Sequence, residues 1–166
     1  MTLHDRAAAI QAISFDIDGV LTDGRITYTD TGAEIKSFHV QDGAALKLLQ
    51  ASGIHVALIT GRRSSIVERR AAELGIEHVY QGSEHKLAAF EDFLSKADVP
   101  ATATAHVGDD LPDLVLFDQV HLAISVPNGH PVVQTRADWV TSTSGGSGVA
   151  REIAQVLLEA QGKWTY

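Results

Sequence analysis

Cysteine is absent from the 166 residues, which rules out disulfides, thiolate metal sites and a cysteine nucleophile. No apolar run approaches the ~18 residues of a membrane span. The opening Met-Thr-Leu-His-Asp-Arg-Ala-Ala-Ala-Ile carries an acid and no long apolar core, so no signal peptide is expected. Basic residues are in the minority: 13 Lys and Arg against 21 Asp and Glu give a formal net charge of −8. That balance argues against nucleic acid and anionic membranes as partners. It leaves room for a small anion, whose binding depends on local cations. Internal repeats and low-complexity linkers are also absent, since Ser144-Gly-Gly-Ser-Gly148 is too short to separate domains. What remains is an ordinary soluble composition, 45% hydrophobic and 20% charged. Residues 1–166 are expected to form one domain with a full core, in a cytoplasmic protein.

Short apolar runs alternate with helical patterns. Strands are expected at 12–16, 54–59, 79–80, 104–107 and 120–124, with a last short one at 137–140. Helices are expected at 3–10, 42–51, 64–74, from a Ser83 cap to Lys96, at 111–117 and at 149–160. Between the first strand and the second helix, Arg25-Ile-Thr-Tyr-Thr29 and Glu34-Ile-Lys-Ser-Phe38 alternate around Asp30-Thr31-Gly32, a hairpin signal. Strands alternating with helices predict an α/β fold, a parallel sheet with helices on both faces. The mostly polar hairpin, about 25–40, projects from it.

Chemistry-bearing residues fall just after these strands. Asp16 and Asp18 emerge at the carboxyl end of the first, where open α/β sheets present ligands. Two carboxylates so close repel, and a cation, a shared proton or solvent must offset the repulsion. Alone, the pair is also what an acidic turn looks like. In Ile59-Thr60-Gly61-Arg62, a hydroxyl and a glycine amide can hold a phosphate oxygen, or simply cap the next helix. Lys86, near the start of its helix, is either solvated or a functional cation. Gly108-Asp109-Asp110-Leu-Pro-Asp113 supplies three carboxylates, oxygen ligands of the kind Mg²⁺ takes and also able to cap a helix. Together these pieces bring nucleophile candidates, a hydroxyl, a lysine and metal-binding acids to one rim.

The combination resembles the haloacid dehalogenase superfamily of phosphatases. Asp16, Asp18, Gly19 and Asp23 match its Asp-x-Asp-Gly-x-x-x-Asp, Thr60 its strand-end hydroxyl, Lys86 its lysine, and Asp109, Asp110 and Asp113 its Gly-Asp-Asp-x-x-Asp. The resemblance implies a Rossmann-like fold and a Mg²⁺ cofactor held by Asp16, the Asp18 carbonyl and Asp109. Asp16 is the implied nucleophile and Asp18 the acid and base. Thr60, Gly61 and Lys86 are implied to bind phosphate, with Asp110 and Asp113 in support, holding waters and orienting Lys86.

Nearly the whole chain is similar to the small capless subfamily that contains the 3-deoxy-D-manno-octulosonate 8-phosphate phosphatases. Phe38-His-Val-Gln-Asp-Gly43, Tyr80-Gln-Gly82, Val126-Pro-Asn-Gly-His-Pro131 and Gly145-Gly-Ser-Gly148 are among the matching pieces. This implies hydrolysis of a sugar-acid phosphate, most specifically the eight-carbon precursor of lipopolysaccharide core synthesis. It also implies a homotetramer joined through the hairpins, with a C-terminal segment reaching a neighbour's site. The apolar end around Trp164 fits such a tail, or a final helix packed on its own core. Arg62 and Arg70, eight apart and expected on one helix face, are the implied partners of the substrate carboxylate. His39, Val40, Gln41, Asp42, Gly43 and Lys47 complete the implied substrate-binding set with Asp18. Relatives acting on nine-carbon acids carry Glu where Arg62 stands. Two positions depart from the pattern: Gln41 stands where the subfamily has Arg or Lys, and Ser147 where it has Arg.

Two other classes weigh less. A phosphorelay receiver also has strand-end acids, a Thr and a Lys, but its acceptor Asp ends the third strand, and no candidate after Leu58 or Tyr80 fits. A catalytically silent regulatory homologue has no need of Asp16, Asp18, Thr60, Lys86 and Asp109 together.

Overall fold

The computed structural model describes residues 1–166. In chain order the elements are α1 (Leu3–Ala8), β1 (Ala12–Phe15), β2 (Thr27–Tyr28), β3 (Glu34–Ile35), α2 (Val40–Ala51), β4 (His55–Ile59), α3 (Ser65–Leu74), β5 (His78–Tyr80), α4 (Lys86–Ala97), β6 (Thr104–Val107), α5 (Leu114–Phe117), β7 (Leu122–Ser125), α6 (Pro131–Arg136), β8 (Trp139–Val140) and α7 (Val149–Ala160). Six parallel strands form the main sheet in the order β5-β4-β1-β6-β7-β8. β1 lies at its centre, buried along its whole length. A strand covered on both faces reads as an unbroken apolar run, which is why 12–15 is legible in the sequence.

The two-residue period of the strands sorts side chains between the faces. Ile13, Phe15, Val56, Leu58, Ala105 and Val107 join the larger core, with residues of α1, α2, α3 and α7. Ala12, Ala57 and Ile59 pack instead on Phe90 and Phe93 of α4 and Leu116 of α5. Ser14 and His106 share that second face, fully buried and level with one another in the β1–β6 register.

Several boundaries differ from the sequence reading. The hairpin is a separate sheet of two antiparallel two-residue strands, with no cap domain in its place. α2 starts at Val40, because the His39 ring accepts from the Gln41 amide and caps it. α4 starts at Lys86, and Ser83 does not cap it. α6 was not expected; Pro131 in its first turn and the His130 ring, which accepts from the Val132 amide, are its sequence signals. No helix is long and apolar enough to cross a membrane.

The C-terminal helix α7 closes the larger core with Val149, Ile153, Leu157 and Leu158. Gly148 precedes it in a left-handed conformation (φ +104°) and offers no side-chain cap. Asp42 of α2 supplies one: its Oδ1 accepts from the amides of Ala150 (2.8 Å) and Arg151 (3.4 Å). Asp42, expected to touch substrate, is instead 3% exposed and ties two helices together. The end of the chain also folds back. Trp164 packs against the larger core, and the Lys163 ammonium donates to the Ser52 carbonyl at 3.0 Å. Within one protomer the tail is therefore docked on its own domain. Replacing Asp42 with Ala removes the cap and is expected to lower unfolding stability by about 1–2 kcal/mol; urea denaturation measures it.

Candidate active site

Three of the four motifs sit at the carboxyl ends of adjacent strands, fixed there by the sheet's own ladder. The Asp16 amide donates to the Val107 carbonyl, that of Thr60 to Tyr80, and that of Gly108 to Ile124, at 2.9 to 3.0 Å. The fourth, Lys86, enters from the start of α4. The loop before it is pinned to the Thr60 turn: the Ser83 amide donates to the Thr60 carbonyl and the Gly82 amide to the Arg62 carbonyl, each at 3.0 Å. Asp16, Asp18, Thr60, Gly61, Arg62, Lys86, Asp109 and Asp110 consequently line one open cleft of about 490 Å³.

Glycines let the loops close on one another. A Cβ on Gly19 (φ +93°) would lie 1.9 Å from Asp109 Oδ2, and one on Gly145 would lie 1.9 Å from the Gly19 carbonyl oxygen. Asn128 clamps this junction, donating to the Gly19 carbonyl (2.8 Å) and accepting from the Gly145 amide (2.7 Å).

At the cleft floor, the Lys86 ammonium lies 3.1 Å from Asp16 Oδ2 and 2.6 Å from Asp113 Oδ1. Asp113 is saturated. Its Oδ1 also accepts from His106 Nε2 (2.9 Å), and its Oδ2 accepts from the amides of Asp109 (3.1 Å) and Asp110 (3.2 Å). Asp113 is ionised: burial pushes its pKa up, but His106 and Lys86 outweigh burial and hold it far below the usual carboxyl range. It can only accept, so His106 Nε2 carries the ring proton. Nδ1 is then the acceptor, and Ser14 Oγ donates to it at 2.8 Å. Burial keeps this imidazole below its ordinary range, and therefore neutral.

The expected substrate-binding set does not converge within one protomer. Arg62 lies in the turn before α3 rather than on it, so its spacing from Arg70 does not measure helical turns. Arg62 borders the cleft and donates to Glu34 (3.1 Å), whereas Arg70 lies over the Phe38 ring at 5.7 Å. Arg70 lines a separate narrow apolar crevice with His39, Asp42 and Gly43. Val40, Gln41 and Lys47 are exposed on α2 and line neither space. Sequence reasoning missed Lys36, whose ammonium contacts Asp18, and its hairpin neighbour Glu34, 3.4 Å from Lys36 Nζ. Their spacing puts both on one strand face, a usable signal. It missed His106, Ser14 and Asn128 as well.

A family model for haloacid dehalogenase-like hydrolases matches residues 76–153. The 3-deoxy-D-manno-octulosonate 8-phosphate phosphatase of Escherichia coli K12 is 45% identical over 158 residues, 95% of this chain and 84% of that protein. The chain belongs to the haloacid dehalogenase-like hydrolases. A crystal structure of the phosphatase of that name from Yersinia pestis superposes with a TM-score of 0.95 at 41% identity, covering 97% of this chain and 87% of the other. Another, from Moraxella catarrhalis in complex with magnesium ion, phosphate ion and 3-deoxy-D-manno-octulosonate (KDO), superposes with 0.93 at 42% identity, covering 96% and 92%.

The acid cluster of this haloacid dehalogenase-like hydrolase fits a divalent cation. Oxygens of Asp16, Asp109 and Asp113 lie within 4.8 Å of one another. Asp113 is fully hydrogen-bonded, which leaves Asp16 and Asp109 as the carboxylates that could ligate the cation. Asp109 Oδ1 is buried with no hydrogen-bond partner, an orphan acceptor that a hard cation would satisfy. Burial first, then the Asp113 charge, push Asp16 up to about 8 and Asp109 up to about 7, with Lys86 opposing. Both are thus partly protonated near neutrality in the absence of a cation. Folded-state values above those of the unfolded chain stabilise below the unfolded pKa, and this contribution is lost as pH rises through about 7 and about 8. In thermal melts, chelator-treated protein is expected to lose stability from about pH 6 to about pH 8.5, and Mg²⁺ to raise the melting temperature more at the upper end. A Mg²⁺ effect independent of pH would contradict this assignment.

Proposed function

We propose that this chain is a Mg²⁺-dependent phosphatase that hydrolyses 3-deoxy-D-manno-octulosonate 8-phosphate to KDO and phosphate. The observation that carries this reading is the gathering of Asp16, Asp18, Thr60, Lys86 and Asp109 around one cleft, in a chain so similar to phosphatases of that name. Asp16, the Asp18 backbone carbonyl and Asp109 would hold Mg²⁺, which when bound would supply positive charge beside the transferring phosphoryl group.

Asp16 attacks phosphorus in line. The bond from phosphorus to the sugar oxygen breaks, and that oxygen takes the proton of Asp18. Water then attacks the aspartyl phosphate, Asp18 takes a proton from that water, and the Asp16 carboxylate departs. Thr60, the Gly61 amide and Lys86 hold the remaining phosphate oxygens and offset the charge that spreads over them. Asp113 keeps Lys86 aimed into the cleft, and Ser14 through His106 keeps Asp113 in place.

Contacts to the sugar acid belong to the assembly in this reading. Arg62 is the one implied carboxylate partner at the cleft, and it points to an eight-carbon rather than a nine-carbon acid. Gln41 and Ser147, both lacking the usual cations, fall in one region: a Cβ on Gly148 would come within 3.4 Å of Gln41 Oε1. Arg70, Lys47, His39, Val40, Gln41 and Gly43 would serve a neighbouring copy's cleft, in a homotetramer joined through the hairpins, while Asp42 stays buried as the cap of α7. The hairpin leaves Ile26, Tyr28 and Ile35 45 to 60% exposed, which suits an interface. A phosphorylated sugar substrate also accords with a cytoplasmic setting.

Phosphate release from eight- and nine-carbon ulosonate phosphates, with and without Mg²⁺, tests the function. Release is expected from the eight-carbon compound with the metal only, and Asp16→Asn is expected to lower it by at least about 10³-fold. Preference for the nine-carbon compound would overturn the substrate, and full activity in Asp16→Asn the covalent route. Separately, Tyr28→Asp is expected to shift the sedimentation coefficient of a tetramer towards that of a monomer or dimer.

A further inference from the structure

We propose that Lys36 is a positioning residue for Asp18: it holds one carboxylate oxygen and leaves the other facing the cleft for proton transfer. This rests on the phosphatase reading above and adds the hairpin to its machinery.

A lysine is almost never fully buried unless it is paired. The Lys36 side chain is 2% exposed, though it stands on a hairpin whose apolar side chains point outward. Its ammonium contacts Asp18 Oδ1 and lies 3.4 Å from Glu34 Oε1. Glu34 in turn accepts from Arg62 at 3.1 Å, so the hairpin is anchored to the Thr60 turn on the far side of the cleft. Burial pushes Glu34 up, but Arg62 and Lys36 outweigh it and keep its pKa below the usual range. Lys36 therefore sits between two carboxylates, one of them fixed by Arg62.

Its place behind Asp18 separates it from the phosphate-binding cation. Lys86 lines the cleft; Lys36 does not, whereas Asp18 does. A carboxylate rotates easily about its last torsion, and proton transfer needs its oxygen within hydrogen-bond reach of the reacting group. A compact ammonium on Oδ1 restricts that rotation. Asp18 Oδ2 makes no hydrogen bond within the chain and remains available to the leaving oxygen and to the attacking water.

The test uses Lys36→Met and Lys36→Arg in the full chain with Mg²⁺, on the eight-carbon sugar-acid phosphate and on p-nitrophenyl phosphate. kcat/KM reports the steps up to departure of the leaving group. The sugar oxygen needs a proton to leave, and p-nitrophenolate does not. Lys36→Met is expected to lose about 10²-fold in kcat/KM on the sugar-acid phosphate and less than about 3-fold on p-nitrophenyl phosphate. It should also release p-nitrophenolate in a burst, because hydrolysis of the aspartyl phosphate, which needs Asp18 as base, becomes slow. Lys36→Arg should restore most of the loss and abolish the burst. Equal losses on both substrates would overturn the proposal in favour of phosphate binding or folding. A sugar-acid loss without the burst would overturn it in favour of a direct sugar contact. If wild type leaves the sugar-acid phosphate intact, the substrate reading fails, and the burst on p-nitrophenyl phosphate still judges Lys36.

Discussion

A single buried ammonium holds together an edge of the sheet that negative charge would otherwise push apart. Lys86 meets Asp16 and Asp113 at once, with Asp109 close by. One cation cannot neutralise three carboxylates, two of them buried and Asp109 half-buried, and breaking a buried pair leaves an uncompensated charge that is strongly destabilising. Asp113 resolves its share by accepting four hydrogen bonds. Asp16 and Asp109 do not, and their raised pKa values express the remaining imbalance. A divalent cation would remove it and would leave Asp16 ionised, as the proposed nucleophile must be. The same imbalance that is a liability to the fold is what makes the site bind metal.

Much of this was legible in the sequence, because the carrying signals are local. Asp16 with Asp18, Thr60 with Gly61, and the acids at 109–113 follow short apolar strands, and a parallel sheet has only one edge at which strand ends can meet. What was not legible depends on pairings between distant segments. Ser14 and His106 look like polar lapses in two apolar strands until the register sets them side by side. Asp42 sits in a stretch that matches a substrate-contacting one, yet α7 lacks its own cap and takes that carboxylate. Arg62 and Arg70 were placed on one face by counting along a helix that begins only after Arg62.

The hairpin is the other instructive case. Alternating polar residues forecast a projection, and its strands do leave Tyr28 and Ile35 exposed. The same hairpin, however, sends Glu34 and Lys36 to Arg62 and Asp18. Exposed apolar side chains and the contact to Asp18 thus share one short segment.

The central claim is that the first aspartate of the chain's leading motif carries the phosphoryl group. The most direct measurement is acid quench of the Mg²⁺ enzyme during turnover of substrate with a radiolabelled phosphoryl group, followed by proteolysis and peptide mapping. The account predicts acid-stable, alkali-labile label on the peptide containing Asp16. Full turnover with no label on protein, or label on a peptide carrying Asp109 or Asp113 instead, would contradict it.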